Sequence, residues 1–253
     1  MILDEIVAAS AARASLIDVA ALPPPPRRDT RSLCRSIRAV QDSVPVIAEL
    51  KTASPLRGAL RGADRDPVAL ASDLIAGGCA ALSVVSEPDF FGGSIEMLGR
   101  IARISSVPVL RKDFIVDRRQ IPETRSVGAD AILFIARILG ERLPAFVDDA
   151  IAAGLEPLVE VHTPAEAAMA LATQAPLVGI NNRDLATMAV DLATTRRIAP
   201  LLSGHDRIVV SMSGIRTPED IRRMRSSCAA FLIGTAIMDS LDPWKTLEGF
   251  VRA

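Results

Sequence analysis

Hydrophobic and polar positions change period twice near the start of the chain and then settle into a repeat. Residues 3–18 set Leu3, Ile6, Val7, Leu16 and Ile17 among alanines, a weakly amphipathic pattern rich in a strong helix former, which predicts a helix. Pro23-Pro24-Pro25-Pro26 cannot be helical and predicts a stiff, extended connector. Leu33, Ile37 and Val40 recur at helical spacing, so 29–43 reads as a second helix. From Val44 onward one unit recurs: a short apolar run, a polar or glycine-bearing junction, then a helical stretch. The apolar runs 44–50, 80–85, 107–110, 131–135, 155–161, 177–180, 207–210 and 229–233 predict strands. Between them 67–76, 95–104, 121–127, 141–153, 164–172, 192–202 and 218–224 predict helices. Thr217 ahead of Pro218 is a capping residue followed by proline in the first turn, a well-formed helix start.

Strands of this length, separated by crossover helices, pair in parallel. Eight of them predict an α/β fold, a (β/α)8 TIM barrel, with 1–43 as an N-terminal helical extension and 44–253 as the barrel of one overall domain. The length of 253 residues suits a single barrel. In such a barrel the site lies at the carboxyl ends of the strands.

Those ends collect a particular set of side chains. The first predicted strand delivers Glu49 and Lys51, which project to the same side because strand side chains alternate. Two opposite charges where a buried strand stops are costly without a partner or a task. A structural ion pair would explain that one strand. Lys112 after the third strand and Glu160 at the end of the fifth make two lysines and two carboxylates at one rim, which points to general acid–base catalysis. The sixth strand leads into Asn181 and Arg183, and the seventh into Met212. Ser213-Gly214 and Gly234-Thr235 follow the last two strands, where backbone N–H groups of many barrels hold a phosphate, and Ser54 adds a hydroxyl. Phe90 and Phe91 suit an apolar wall or core packing equally. His162 reads as a supporting residue, and neither it nor His205 shows metal-ligand spacing.

Composition narrows the partners. Lys+Arg total 29 against 30 for Asp+Glu, a formal net charge of −1, which argues against bulk nucleic-acid binding. One Trp and no Tyr disfavour base stacking as the main activity. Cys34, Cys79 and Cys228 are widely spaced and odd in number, suggesting neither a disulfide framework nor a zinc set; Cys79 and Cys228 read as core packing. The first residues lack a basic and apolar leader pattern, and no apolar run reaches membrane-spanning length. The expectation is a soluble cytoplasmic protein, without cofactor or metal, acting on a small molecule as a monomer or weak homodimer.

The motifs resemble those of the indole-3-glycerol-phosphate synthase family. They are Val-Ile-Ala-Glu-Leu-Lys-Thr-Ala-Ser-Pro (46–55), Leu-Ser-Val-Val-Ser-Glu-Pro-Asp-Phe-Phe-Gly-Gly-Ser (82–94), Val-Leu-Arg-Lys-Asp-Phe-Ile-Val-Asp (109–117), Leu-Val-Glu-Val-His-Thr (158–163), Gly-Ile-Asn-Asn-Arg-Asp-Leu (179–185) and Phe-Leu-Ile-Gly (231–234). The resemblance implies conversion of 1-(2-carboxyphenylamino)-1-deoxyribulose 5-phosphate to indole-3-glycerol phosphate, carbon dioxide and water, a carboxy-lyase step of tryptophan biosynthesis. It implies Lys112 as general acid for ring closure, with Lys51 binding the substrate carboxylate and assisting dehydration, helped by Glu49. Glu160 is implied as the acid/base group of the later step and Asn181 as the holder of substrate hydroxyls. Arg183 and Met212 join the substrate-binding set, and Phe91 and Leu133 wall the aromatic ring. Ser54, Ser213, Gly214, Gly234 and Thr235 are implied at the phosphate. Which lysine serves which proton transfer stays open.

The chain departs from the family pattern at two places. Met212 stands where the family usually carries glutamate, and a thioether neither bears that charge nor relays a proton. Thr52, Leu56 and Arg57 alter the motif after the first strand. Two alternatives therefore stand beside an active synthase: a phosphate-binding barrel with isomerase-like chemistry, which would not need a second lysine, and a weakened ligand-binding relative, which Met212 would suit.

Overall fold

The computed structural model describes residues 2–26, 31–54, 58–60, 64–184 and 187–253, with only the backbone at Ser54. Among them, eight parallel strands close into a ring: β1 (Val46–Leu50), β2 (Ala81–Val85), β3 (Val109–Lys112), β4 (Ala131–Ile135), β5 (Glu156–Val161), β6 (Leu177–Asn181), β7 (Ile208–Met212) and β8 (Ala230–Ile233). Each pairs with its sequence neighbours, and β1 closes the ring by pairing with both β2 (Ile47 beside Ala81) and β8 (Val46 beside Phe231). Helices cover the outside. The main ones are α3 (Pro67–Ala76), α5 (Ile95–Ile104), α6 (Gln120–Ser126), α8 (Leu143–Ala152), α9 (Pro164–Leu171), α10 (Ala193–Leu202), α11 (Pro218–Met224) and α13 (Pro243–Val251). Short helices α4 (Pro88–Phe91), α7 (Ala136–Leu139) and α12 (Thr235–Met238) follow β2, β4 and β8 directly. Thr217 and Asp220 form a reciprocal capping box at the start of α11, with Pro218 in its first turn.

Strand alternation sorts the core. Ile47, Leu110, Ala131, Leu133, Leu158, Leu177, Val210 and Leu232 fill the barrel interior. Val46, Ala48, Leu50, Leu82 and Val84 face outward and pack beneath α3 and α13 with Leu70, Leu74, Leu247 and Phe250. Because the side-chain period is two, each interior residue predicts the one above it. Ile47 leads to Glu49 and Lys51, Leu110 to Lys112, Leu158 to Glu160 and Val210 to Met212. The apolar interior and the polar rim are thus one continuous face of the sheet.

The extension works at both ends of the barrel. Helix α2 (Leu33–Ala39) sits across the amino ends of the strands: Ser36 Oγ donates to the Ala80 carbonyl at 2.5 Å, and Glu156 accepts from Ser32 Oγ at 2.6 Å and from the Cys34 amide at 3.2 Å. Leu33 and Ile37 thereby join the interior core. Helix α1 (Ile2–Ser15) lies at the opposite, carboxyl rim, where Ser10 Oγ donates to the Phe114 carbonyl at 2.5 Å and Arg13 pairs with Glu87 at 3.1 Å. The proline-rich connector between them passes Gly128, where an added Cβ would come within 2.8 Å of Pro26 Cγ.

Three sequence expectations are corrected. The first helix ends at Ser15 rather than 18: Asp18 caps a separate turn, Val19–Ala21, leaving Leu16 84% exposed. The second helix spans Leu33–Ala39 rather than 29–43, because Ser32 caps it and Val40 is already extended; residues 29 and 30 lie outside the described residues. The third strand runs to Lys112 rather than stopping at 110, because Arg111 and Lys112 are held in the ladder by β2. A charged pair at a strand's end looks like a loop in sequence, where only the ladder shows that it is still strand.

Candidate active site

A cavity of about 390 Å³ opens at the carboxyl rim of the barrel. Glu49, Lys51, Lys112, Glu160, Asn181, Arg183 and Met212 line it, together with Phe91, Ser213, Gly214, Gly234 and Thr235. Sequence separations of more than a hundred residues collapse into one pocket because these residues end the strands or sit in the loops and short helices that follow them.

Its polar side is two carboxylate–ammonium pairs. Lys51 Nζ donates to Glu49 Oε1 at 2.7 Å, and Lys112 Nζ lies 3.5 Å from Glu160 Oε2. Burial pushes the Glu49 carboxyl upward, but Lys51 and Lys112 together outweigh it and hold Glu49 below the ordinary carboxylate value. Burial works against the charge on Lys112 as well, and Glu160 and Glu49 more than restore it, so Lys112 holds its proton above the ordinary lysine range. Glu160 is itself oriented: Asn181 Nδ2 donates to its Oε1 at 2.7 Å, while Asn181 Oδ1 accepts from the Arg183 amide at 3.0 Å. Among the described residues its Oε2 makes no hydrogen bond and is approached only by the Lys112 ammonium. His162 contacts the Asn181 carbonyl through Nδ1 at 2.7 Å, behind this array.

The opposite side is apolar. Met212 is 1% exposed, and an added Cβ at Gly179 would meet its Sδ at 2.8 Å, so the thioether lies flat across β6. Val190 and Ile215 extend this wall. Phe91 stacks at a tilt on Phe114, ring centroids 5.9 Å apart. Gly234 serves a steric purpose besides any phosphate contact, since a Cβ there would come within 2.5 Å of Glu49 Oε1. Ser213 and Gly214 both adopt left-handed backbone, φ 66° and 83°, which turns the chain sharply back over the pocket.

One sequence assignment is repositioned. Leu133 is fully buried in the interior and does not line the cavity; Ile135, two residues on and so one layer higher on the same face, does. Asn181 lines the cavity while bonding Glu160 and the Arg183 amide. The Ser54 side chain, Leu56 and Arg57 lie outside the described residues. Reasoning from the sequence passed over Phe114, Ile135 and Arg216, which also line the pocket. Alternation from Lys112 would have found Phe114. A stronger signal was overlooked: the chain has 26 arginines and only three lysines, Lys51, Lys112 and Lys245. Where arginine carries nearly all the positive charge, lysine at two rim positions marks chemistry that a guanidinium cannot do.

A single pocket of paired acids and bases, built on strand ends of a closed parallel barrel, defines a (β/α)8-barrel enzyme. Solved structures agree on the fold: the tryptophan synthase alpha subunit of Legionella pneumophila superposes with a TM-score of 0.62 at 11% identity, covering 86% of this chain and 96% of that one. The family model for indole-3-glycerol phosphate synthase matches residues 3–250. The indole-3-glycerol phosphate synthase of Pyrococcus abyssi is 42% identical, over 83% of this chain and 92% of that protein. That of Bordetella pertussis is 43% identical over 89% and 87%. The chain belongs to the indole-3-glycerol phosphate synthase family.

Proposed function

We propose that the rim pocket carries out the family's reaction with Lys112 as the acid of ring closure and Glu160 as its proton partner. In that reaction the aromatic carbon bearing the carboxylate attacks the ribulose carbonyl. A carbon–carbon bond forms, and the carbonyl oxygen takes a proton. Carbon dioxide then leaves, returning its electron pair to the ring. Finally the new hydroxyl departs as water while a proton leaves the neighbouring methylene, giving indole-3-glycerol phosphate. Ring closure takes up one proton, loss of carbon dioxide none, and dehydration delivers one to the hydroxyl and removes one from the methylene; two acid–base pairs are at hand.

The observation that carries the assignment is the 3.5 Å approach of Lys112 Nζ to Oε2 of Glu160, the carboxylate oxygen that Asn181 leaves to it. An ammonium held charged by neighbouring carboxylates keeps its proton in place at neutral pH for the strongly basic oxygen that develops as the carbonyl is attacked, and the carboxylate beside it can take up a proton in the later step. Lys51, paired to Glu49, takes the substrate carboxylate and assists loss of the hydroxyl. Phe91 and Phe114 face the aromatic ring. Ser54, Ser213, Gly214, Gly234 and Thr235 receive the phosphate, with Arg183 adding charge. Met212 contributes an apolar wall, so the carboxylate share of the acid–base work falls to Glu49 and Glu160. The extension and barrel act as one domain, since Leu33 and Ile37 belong to the interior core, and the protein works in the cytoplasm as a monomer or weak homodimer.

Appearance of indole fluorescence from the ribulose phosphate substrate tests the activity. Lys112→Ala should abolish turnover with ligand binding retained; parent-like turnover would remove Lys112 as the acid.

A further inference from the structure

We propose that the buried ion pair of Arg111 and Asp113 is a positioning device for Lys112, clamping the backbone on both sides of it. The proposal rests on the reading of Lys112 as the acid. Arg111 and Asp113 flank Lys112: strand alternation turns Arg111 away from the pocket while Lys112 faces in, and Asp113, just past the strand's end, stands at the pocket's edge with its carboxylate on Arg111. Both are nearly excluded from solvent, at 4% and 5% exposed. Arg111 Nη2 donates to Asp113 Oδ2 at 2.9 Å and Nε reaches the same oxygen at 3.2 Å. Nη1 donates to the Gln120 carbonyl at 3.2 Å, Glu123 Oε2 at 2.8 Å and Thr124 Oγ1 at 2.9 Å, tying β3 to α6. Asp113 is held in turn by Ser86 Oγ at 2.6 Å, and its Oδ1 accepts from the Phe114 amide at 2.8 Å. The Lys112 carbonyl accepts from the Ser86 amide at 3.1 Å, completing the frame.

Stability alone is a poor account of this cluster. A buried ion pair seldom outperforms apolar residues of the same volume, whereas its directional bonds fix geometry. Here every guanidinium nitrogen is used: Nε and Nη2 on Asp113, next to the one lysine whose aim the chemistry needs, and Nη1 on α6. The same aspartate starts the turn that brings Phe114 against Phe91.

The test uses the full chain with two conservative variants. Arg111→Lys keeps the charge but loses the fork, and Asp113→Asn keeps an acceptor for the Phe114 amide but loses the charge. Steady-state indole formation should show kcat lower by about 10²-fold, the usual cost of misplacing a catalytic group by an ångström, with KM within about twofold. With three lysines in the parent and in Asp113→Asn, and a fourth only in Arg111→Lys, lysine labelled with carbon-13 at Cε reports the Lys112 titration by NMR once the added signal is assigned. Around Lys112 stand Glu160, Glu49, Asp113, Lys51, Arg183 and Arg216. Drawing its ammonium away from the first two while it stays buried should make it titrate at lower pH than in the parent protein. If both variants fold poorly, Ser86→Ala, which removes one support of Asp113, should give the same changes in smaller measure. Parent-like kcat and Lys112 titration in a folded variant, with only a lower melting temperature, would overturn the proposal. Parent-like turnover in Lys112→Ala would instead overturn the acid assignment, leaving the titration as the reading of the clamp.

Discussion

Lys112 and Glu160 meet across the barrel from strands β3 and β5, ammonium to carboxylate at 3.5 Å, and the carboxylate oxygen on that side is the one that Asn181 leaves unbonded. Asn181 thus fixes which oxygen Glu160 offers. Glu160→Gln would put a neutral amide there. The expected outcome is a kcat lower by about 10²- to 10⁴-fold, the ordinary contribution of a positioned acid or base. The alkaline limb of the pH–rate profile should also move to lower pH, because Lys112 loses the first of the carboxylates that hold its proton. A parallel pH–rate series with the parent enzyme checks both.

The Glu49–Lys51 pair gives a stability prediction with a definite sign. Glu49 titrates below its ordinary value of 4.5 in the folded chain, so its contribution is present above that value and is lost as pH falls through the lower, folded value. Glu49→Gln should therefore narrow the melting-temperature gap to the parent as pH drops below about 4.5. A gap independent of pH between 3 and 7, roughly the span of ordinary carboxylate titration, would show that the charge on Glu49 is not what the fold uses.

Gly234 makes room for Glu49. Its φ of −122° lies outside the left-handed region that calls for glycine, yet in Gly234→Ala the new methyl would lie 2.5 Å from Glu49 Oε1 and 3.0 Å from its Cβ. The carboxylate must move, breaking its 2.7 Å bond with Lys51. We expect turnover to fall by about 10-fold or more while the melting temperature stays close to that of the parent. Equal loss in both would mean that the methyl disturbs the strand rather than the pair.

Met212 is part of the core as well as of the pocket. Met212→Ala should cost about 2–5 kcal/mol in urea unfolding, the usual range for truncating a buried long side chain. Gly179→Ala attacks the same contact from the other strand, its methyl arriving 2.8 Å from Met212 Sδ. Combining the two should cost less than the sum of the single losses, since the cavity left by one accepts the methyl of the other. Strict additivity would separate Met212 from β6.

The period of the apolar runs was enough to count the strands and to predict the closed parallel ring, because a strand buried on both faces must be apolar and short while its crossover helix must be amphipathic. The same alternation predicted Glu49, Lys51, Lys112 and Glu160 at one rim, and local chemistry fixed the starts of α3, α9 and α11, each with proline behind a capping side chain. Layer height and partner choice were decided only in three dimensions. The stagger of the strands puts Ile135 rather than Leu133 on the cavity, sets Asn181 against Glu160, and brings α1 to the rim and α2 to the floor. Those depend on register and on contacts between residues a hundred positions apart. No local propensity encodes such distances, because only closing the ring fixes them.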